Sequence, residues 1–151
     1  MKALVQRVLR SNLEIDGEEY SKIGKGLIVF LGVTHDDTEK EAQVLAEKIS
    51  KLRIFEDDNE KMNLSVADVG GELHIISQFT LYADCHHGNR PSFVNAAKPD
   101  EATKLYEYFI ESCKQLGIQV ATGVFGADMK INYINDGPVT IMLECVNGKI
   151  L

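Results

Sequence analysis

The sequence predicts an α+β fold in which a predominantly antiparallel sheet packs against two helices, within a single domain spanning residues 1–151. Three observations support this prediction. A chain of 151 residues, 44% of them hydrophobic, suits one compact domain. Only two segments show the three- and four-residue apolar spacing of helices, whereas several short runs rich in branched residues lie between turn signals. No internal repeat, low-complexity stretch or linker divides the chain.

The first third of the chain is predicted to form strands. Residues 1–10 have the composition of a strand, and residues 13–15 are followed by Asp16-Gly17, a dipeptide typical of tight hairpin turns. Residues 26–33 form a continuous apolar run, which is typical of a strand covered on both faces. We therefore expect a hairpin and a buried strand in this region.

The first helix is predicted to begin after Thr38. Thr38 and Glu41 have the spacing of a capping box, in which each side chain accepts a hydrogen bond from the backbone of the other. Apolar residues then recur every three or four positions and give the helix one apolar face. They are Ala42, Leu45, Ile49 and Leu52. A polar loop is expected at residues 57–61.

The second helix is predicted between Pro99 and Gly117. Pro99 suits a first helical turn, and glycine is common just past a helix end. Asp100 and Glu101 favour the positive N-terminal end of the helix dipole. The expected buried stripe comprises Ala102, Leu105, Phe109, Cys113 and Leu116.

The remaining strands are predicted at residues 72–82, 118–124, 130–135 and 139–146. In the first of these strands, polar Gln78 and Thr80 alternate with apolar neighbours. The two classes of side chain should therefore point to opposite faces of the sheet.

Charge limits the nucleic-acid contacts that this chain can make. The net charge is −7 and the sequence pI is about 5.1. Domains that coat nucleic acid through phosphate attraction are usually basic, so this class of protein and DNA as a partner are both disfavoured. A protein that grips only one end of a nucleic acid needs far fewer basic residues and stays compatible with the composition.

The sequence favours a cytoplasmic location without membrane association. The longest apolar run, residues 27–33, falls far short of the ~20 residues of a membrane span. Residues 1–7 lack the apolar core of a signal peptide. Three cysteines cannot all pair within one chain, and Cys113 and Cys145 lie in apolar patterns, so we expect buried free thiols.

Four sequence blocks occur in an order that points to a known family. They are residues 77–82 (Ser-Gln-Phe-Thr-Leu-Tyr), 88–93 (Gly-Asn-Arg-Pro-Ser-Phe), 125–129 (Phe-Gly-Ala-Asp-Met) and 135–140 (Asn-Asp-Gly-Pro-Val-Thr). Together with residues 1–8, they make nearly the whole chain resemble the D-aminoacyl-tRNA deacylases, the D-tyrosyl-tRNA deacylase family. Those enzymes cut the ester that joins a D-amino acid to the 3′ end of a tRNA.

The resemblance implies a barrel-like closure of the sheet and a homodimer that needs no metal or cofactor. Its implied substrate is a tRNA carrying a D-amino acid or glycine. The segment after residue 76 would line the aminoacyl pocket, with Gln78, Phe79 and Thr80 at the catalytic centre and Ser77 and Leu81 binding substrate. An aminoacyl ester is already activated, so a positioned water and backbone N–H donors to the oxyanion could suffice. Whether Thr80 orients the attack or acts as a nucleophile stays open.

The resemblance also implies a device that selects by chirality. Gly137-Pro138 would form a cis element that enters the partner subunit's pocket and collides with the Cβ of an L-amino acid. Arg7 would support this element, and its five guanidinium donors suit backbone carbonyls. Phe125 and Met129 would lie near the terminal adenosine, although their periodicity alone favours the core.

The residues around Cys85 offer other possible chemistry. Cys85, His86 and His87 are adjacent and would point in different directions, and no further histidine has metal-ligand spacing, so metal binding is disfavoured. The same two histidines stand where the family usually has basic residues, which leaves Arg90 as the main cation of that loop. Two rival functions remain: a non-catalytic module that binds a nucleotide or RNA end, and a small hydrolase of free D-amino acid esters or peptides that uses Ser77 or Cys85.

Overall fold

The computed structural model describes residues 1–151, with both helices packed on one face of a curled sheet. Neither helix has the length and apolar composition needed to cross a membrane. In chain order the elements are β1 (Lys2–Ile15), β2 (Glu18–Ile23), β3 (Gly26–Gly32), α1 (Glu39–Ser50), β4 (Phe55–Glu56), β5 (Met62–Leu64), β6 (Glu72–Ser77), a 3₁₀ turn (Phe79–Tyr82), α2 (Pro99–Gln115), β7 (Gln119–Thr122), β8 (Lys130–Val146) and β9 (Lys149–Ile150).

The seven-stranded sheet is mixed, so the expectation of a mainly antiparallel sheet is wrong in part. Its strand order is β7-β6-β3-β1-β8-β9, with β2 paired to the second half of β1. The pairs that β1 makes are antiparallel, whereas β3–β6 and β6–β7 are parallel. The reason lies in the connections: β3 reaches β6 through α1, and β6 reaches β7 through α2. Parallel neighbours require such long crossovers.

Strand β3 is covered on both faces, as its continuous apolar run predicts. Leu27, Val29 and Leu31 join the larger core, which the two helices cover. Ile28 lies in a second, smaller core inside the curl of the sheet, and Phe30 packs against that core. The curl therefore gives this small protein two apolar compartments separated by one layer of strands.

The local signals at turns and helix ends are confirmed, with one exception. Asp16 and Gly17 both have positive φ, at 54° and 78°, as the tight hairpin requires. The backbone N–H of Thr38 donates to the Glu41 carboxylate at 2.7 Å within a complete capping box. The expectation that Leu116 is buried is wrong: α2 ends at Gln115, and Leu116 is 42% exposed.

A buried histidine links the strands on the inner side of the curl. The hydroxyl of Ser21 donates to the carbonyl of Thr122 at 2.7 Å, so its oxygen is free to accept from Nε2–H of His74 at 2.8 Å. Nδ1 of His74 then accepts from the hydroxyl of Ser11 at 2.9 Å. This chain of bonds requires a neutral imidazole, and burial lowers the pKa of His74 to about 4.

We expect His74 to weaken the fold as the pH falls from about 6.5 to about 4. In this window the unfolded imidazole takes up a proton that the folded imidazole excludes, so the free energy of unfolding decreases with each step down in pH. The total loss is about 3 kcal/mol, at about 1.4 kcal/mol per pH unit. Chemical denaturation of the wild type and His74→Gln between pH 4 and 8 measures it.

The His74→Gln variant removes the titrating group and serves as the reference curve. Its stability should change less over this window, because the buried imidazole no longer contributes. Parallel stability curves for the two proteins would show that the histidine is protonated inside the folded protein without cost.

Candidate active site

The strand predicted at residues 72–82 ends early, and this break creates the site. Strand β6 stops at Ser77, and residues 79–82 turn into one 3₁₀ turn. Gly32 explains the break, because a Cβ there would lie 3.0 Å from the Leu81 Cβ and 3.1 Å from the Gln78 carbonyl oxygen. The turn packs directly on the glycine backbone, so the expected alternation of faces after Ser77 is wrong.

The turn exposes the residues that the sequence placed at the catalytic centre. Phe79 and Thr80 are both exposed to solvent, while Gln78 is partly buried. Nε2 of Gln78 donates to Oγ1 of Thr80 at 2.5 Å, which fixes the threonine side chain. In a 3₁₀ turn the first N–H groups have no partner within the turn, so those of Phe79 and Thr80 are candidate donors to a ligand.

An apolar cavity of about 400 Å³ opens beside this turn. A larger hollow of about 620 Å³ lies near residues 33–39, but most of its lining is polar or charged. Small-molecule sites are mostly apolar with a few polar groups, so the smaller cavity is the better candidate. Its lining comprises Leu31, Val33, Ser77, Phe79, Phe93, Ala96, Ala97, Lys98, Pro99, Ala102, Phe125 and Gly126.

Aromatic rings form two walls of the cavity. Phe79 and Phe93 meet edge to face, with ring centroids 5.0 Å apart, and are 52% and 39% exposed. The ring centroids of Phe125 and Tyr106 lie 6.3 Å apart. The hydroxyl of Tyr106 donates to the carbonyl of Ile75 at 2.7 Å. Burial raises the pKa of Tyr106 to about 12, so this hydroxyl keeps its proton and ties α2 to β6. One wall is thus exposed, whereas the other rests on the core.

The segment that carries Phe93 is fastened to the end of β3. The hydroxyl of Thr34 donates to the carbonyl of Asn95 at 2.6 Å, and the ring of His35 donates Nε2–H to the carbonyl of Val94 at 2.7 Å. The N–H of Ala97 donates to the carbonyl of Val33 at 2.9 Å. These bonds fix the segment that forms one side of the cavity, although this segment lies outside any helix or strand.

Four of the six predicted substrate-binding residues do not line the cavity of their own chain, namely Leu81, Met129, Gly137 and Pro138. Leu81 packs against Gly32 beneath the 3₁₀ turn. Met129 packs against the smaller core inside the curl, where its sulfur lies directly over Gly123. The structure therefore brings Ser77, Phe79 and Phe125 together, whereas the partly buried Met129 packs against the smaller core.

The Gly-Pro motif interrupts a single long strand. The strands predicted at residues 130–135 and 139–146 are one strand, β8, because both flanks of the motif pair with β1. Gln6 pairs with Thr140 and Val8 pairs with Asn135, so residues 136–139 bulge out opposite one residue of β1. Gly137-Pro138 forms a cis peptide bond at the exposed tip, and neither residue lines the cavity of its own chain.

Arg7 is the residue opposite this bulge, and its side chain is buried. Its Nε lies 3.3 Å from the carbonyl oxygen of Asp136 and 3.4 Å from the carboxylate of the same residue. Its Nη1 donates to the carbonyl of Ile54 at 2.8 Å, and Glu56 lies 4.0 Å away. One guanidinium thus connects the Gly-Pro bulge to the β4–β5 hairpin.

The loop that contains Cys85 lies fully on the surface. Cys85, His86 and His87 are all exposed, and the two imidazole rings pack edge to face at 4.5 Å. No group of three or more metal-ligating side chains converges in the structure. Cys113 and Cys145 are buried free thiols, as expected, and burial raises the pKa of Cys113 to about 12.

Comparison with known proteins identifies the family. The sequence model described as D-Tyr-tRNA(Tyr) deacylase matches residues 4–144. The chain belongs to this family. A D-aminoacyl-tRNA deacylase of Clostridium botulinum (strain 657 / Type Ba4) is 56% identical over 144 residues, which cover 95% of this chain and 97% of the relative.

Two solved structures share the deacylase-family fold. A structure named c-Myc DNA Unwinding Element Binding Protein has a TM-score of 0.91 at 41% identity, covering 97% of this chain and 99% of that one. A structure described as a probable eukaryotic D-amino acid tRNA deacylase has a TM-score of 0.80 at 16% identity, covering 93% and 97%. The second likeness concerns the fold alone.

Sequence reasoning assigned no role to Phe93 and Lys98, an aromatic and the one charged residue of this cavity. Phe93 ends a block that supported the resemblance, yet no role followed from it. An aromatic residue two positions after Pro91, in an otherwise polar stretch, was the available signal. Nothing in the sequence around Lys98, apart from its position before Pro99, indicates a role in binding. Only the folded chain shows that this residue lines the cavity.

Proposed function

We propose that this protein is a D-aminoacyl-tRNA deacylase that acts in proofreading in the cytoplasm. It hydrolyses the ester of D-aminoacyl-tRNA to a free D-amino acid and tRNA, without metal or cofactor. One observation carries the proposal beyond family membership: Ser77 and Phe79 from one sequence motif and Phe125 from another line the same apolar cavity. The names of the curated relatives support the same activity.

The cavity suits the terminal adenosine of a tRNA with its aminoacyl ester. Adenine can stack on the exposed ring of Phe79 or Phe93, a contact worth roughly 1–3 kcal/mol per base. The ester carbonyl then lies near the 3₁₀ turn, where the N–H groups of Phe79 and Thr80 stabilise the oxyanion. Water attacks the carbonyl carbon, the bond to the ribose oxygen breaks, and that oxygen leaves with a proton from the water.

In this proposal Thr80 orients the attacking water and forms no covalent intermediate. Its hydroxyl oxygen already accepts from Gln78, which fixes its position at the surface of the turn. The 2′-hydroxyl of the ribose, next to the ester, is placed to assist the proton transfer. No histidine or carboxylate bonds to Thr80 or Ser77, so neither residue has the activating base that a nucleophilic hydroxyl needs.

We also propose that Gly137-Pro138 acts as a chiral filter in the cavity of a second subunit. The tip is exposed and lies outside its own chain's cavity, so it meets a substrate only if another copy presents one. A two-fold dimer satisfies this condition twice, because each subunit lends its bulge to the other. Arg7 holds the bulge from behind through Asp136. Glycine attached to tRNA has no Cβ to collide and should also be hydrolysed.

Hydrolysis of D-tyrosyl-tRNA by the purified protein in EDTA tests the activity and its mechanism together. We expect turnover that EDTA does not reduce. Thr80→Ala and Ser77→Ala should keep measurable activity, because backbone donors and the substrate's hydroxyl carry the chemistry. Cys85→Ala should match the wild type, since Cys85 lies in the surface loop. Single-turnover rates for the three variants give the comparison.

Several outcomes would favour a rival function. Binding of D-tyrosyl-tRNA without turnover would indicate an RNA-end-binding module. Trapping of a covalent aminoacyl-enzyme on Thr80, Ser77 or Cys85 would show that the reaction uses a protein nucleophile and would contradict direct attack by water. Turnover of free D-amino acid esters at the same rate as the tRNA substrate would indicate a small esterase. Tight binding of duplex DNA would favour DNA binding, the activity that the 41% identical structure is named for. The net charge of −7 disfavours this outcome.

A further inference from the structure

Lys98 is the single charged residue among the twelve that line the apolar cavity. Its side chain is exposed and takes part in none of the ion pairs of the chain. It makes no capping hydrogen bond to α2, which begins at the next residue. A free ammonium group therefore stands at the rim of a cavity that otherwise offers apolar and aromatic contacts.

Acidic residues follow Lys98 closely in the sequence. Asp100 and Glu101 occupy the first turn of α2, and the whole chain carries a net charge of −7. Neither carboxylate lies within ion-pair distance of Lys98. An anion that approaches the rim is repelled by these two carboxylates and attracted by the ammonium group and by the positive N-terminal end of α2, so removal of the Lys98 charge should weaken its binding.

We propose that Lys98 binds a phosphate group of the substrate's 3′-terminal nucleotide and thereby orients the substrate in the cavity. This inference rests on the proposed function. The terminal adenosine is itself neutral, and the aminoacyl end carries a protonated amine that an ammonium group repels. The phosphate is the one negatively charged part of this nucleotide, and a charge-assisted hydrogen bond makes it the strongest partner for Lys98. The nucleotide end therefore lies at the start of α2, and the ester lies at the 3₁₀ turn.

Three substrates that differ in phosphate content test the inference. They are D-tyrosyl-tRNA, the D-tyrosyl ester of adenosine 5′-monophosphate, and the D-tyrosyl ester of adenosine. We expect Lys98→Gln to lower kcat/KM by roughly five- to tenfold on the two phosphate-bearing substrates, through a higher KM, because a charge-assisted bond is lost. The adenosine ester should be hydrolysed at the wild-type rate. For tRNA, the slope of log kcat/KM against log salt should become shallower by about 0.7.

Lys114→Gln is the matched control, because Lys114 lies in the last turn of the same helix and its loss changes the net charge equally. This control should behave as wild type on all three substrates. An equal effect of the two variants, an equal loss on the adenosine ester, or no effect of Lys98→Gln would each overturn the phosphate contact. Absence of wild-type hydrolysis on every substrate would instead reject the proposed function, and this inference with it.

Discussion

Replacement of Gly137 by alanine should lower the hydrolysis of D-aminoacyl-tRNA by about a hundredfold, the loss expected when a positioning group shifts by about 1 Å. Gly137 has a φ of +128°, which L-residues rarely adopt. An added Cβ would lie 2.9 Å from Cγ2 of Val139, 3.0 Å from the nitrogen of the same residue and 3.3 Å from Nη2 of Arg7. The bulge must therefore move. Single-turnover rates, with thermal unfolding measured beside them, show the effect.

Gly70→Ala controls for backbone conformation alone. Gly70 has a φ of +65°, and nothing lies within 4 Å of its added Cβ. It precedes β6, whereas the cavity lies at the other end of that strand, so this variant should be fully active. Similar losses in both variants would point to a general loss of folding.

Mixed subunits extend the Gly137 prediction to the dimer. Gly137→Ala and Phe79→Ala proteins should each be weakly active alone. A heterodimer contains one site with both defects and one site with neither, so mixing should restore up to about half of the sites in each heterodimer. Full activity of a stable monomer in sedimentation, or no recovery after confirmed subunit exchange, would place the bulge outside the partner's site.

Matched D- and L-aminoacyl-tRNAs should differ by about a hundredfold or more in their rate of hydrolysis. The proposed filter rejects a Cβ on the L side by steric overlap, and overpacking in a rigid site costs about 1–3 kcal/mol or more. Different D-amino acids should therefore all be hydrolysed, because the filter does not contact the side chain that distinguishes them. Glycyl-tRNA should be hydrolysed as well. Single-turnover rates on D- and L-tyrosyl-tRNA and on glycyl-tRNA provide the measurement.

Comparable rates on D- and L-tyrosyl-tRNA would contradict the steric account. Strong selection among D-amino acids would contradict it in another way, because recognition would then depend on the side chain. Rejection of glycyl-tRNA would show that the site requires a Cβ on the D side and does more than exclude one on the L side.

The sequence predicted those parts of the fold that a few neighbouring residues decide. The Thr38–Glu41 capping box and the Asp16-Gly17 turn are local, and both occur as predicted. Strand direction is not local, because it depends on where each helix returns the chain to the sheet. The continuous apolar run of β3 was the available signal for parallel pairing, since such runs are typical of strands buried on both faces.

The candidate site was predictable where a motif carried it and not where tertiary packing decided. The resemblance to the deacylases singled out Ser77, Phe79 and Phe125, which share the cavity. In the sequence, polar and apolar residues continue to alternate past residue 77. The strand nevertheless ends at Ser77, because Gly32 has no side chain and the 3₁₀ turn packs on its backbone. No pattern in the chain reveals that distant glycine's role. Lys98 likewise reaches the cavity only because α2 begins beside it.

The curl of the sheet is closed at one seam by side chains, and this has a consequence for how the protein can evolve. Between β2 and β7 the structure has no backbone ladder, only the hydroxyl of Ser21, which bridges the imidazole of His74 and the carbonyl of Thr122. Peptide ladders tolerate drift in the side chains that they carry, because their hydrogen bonds come from the backbone. A seam that depends on side chains is more sensitive, because a change at Ser21 or His74 removes the hydrogen-bond partner of the other. Substitutions at these two positions are therefore expected to be coupled, whereas those on the surrounding ladders are not.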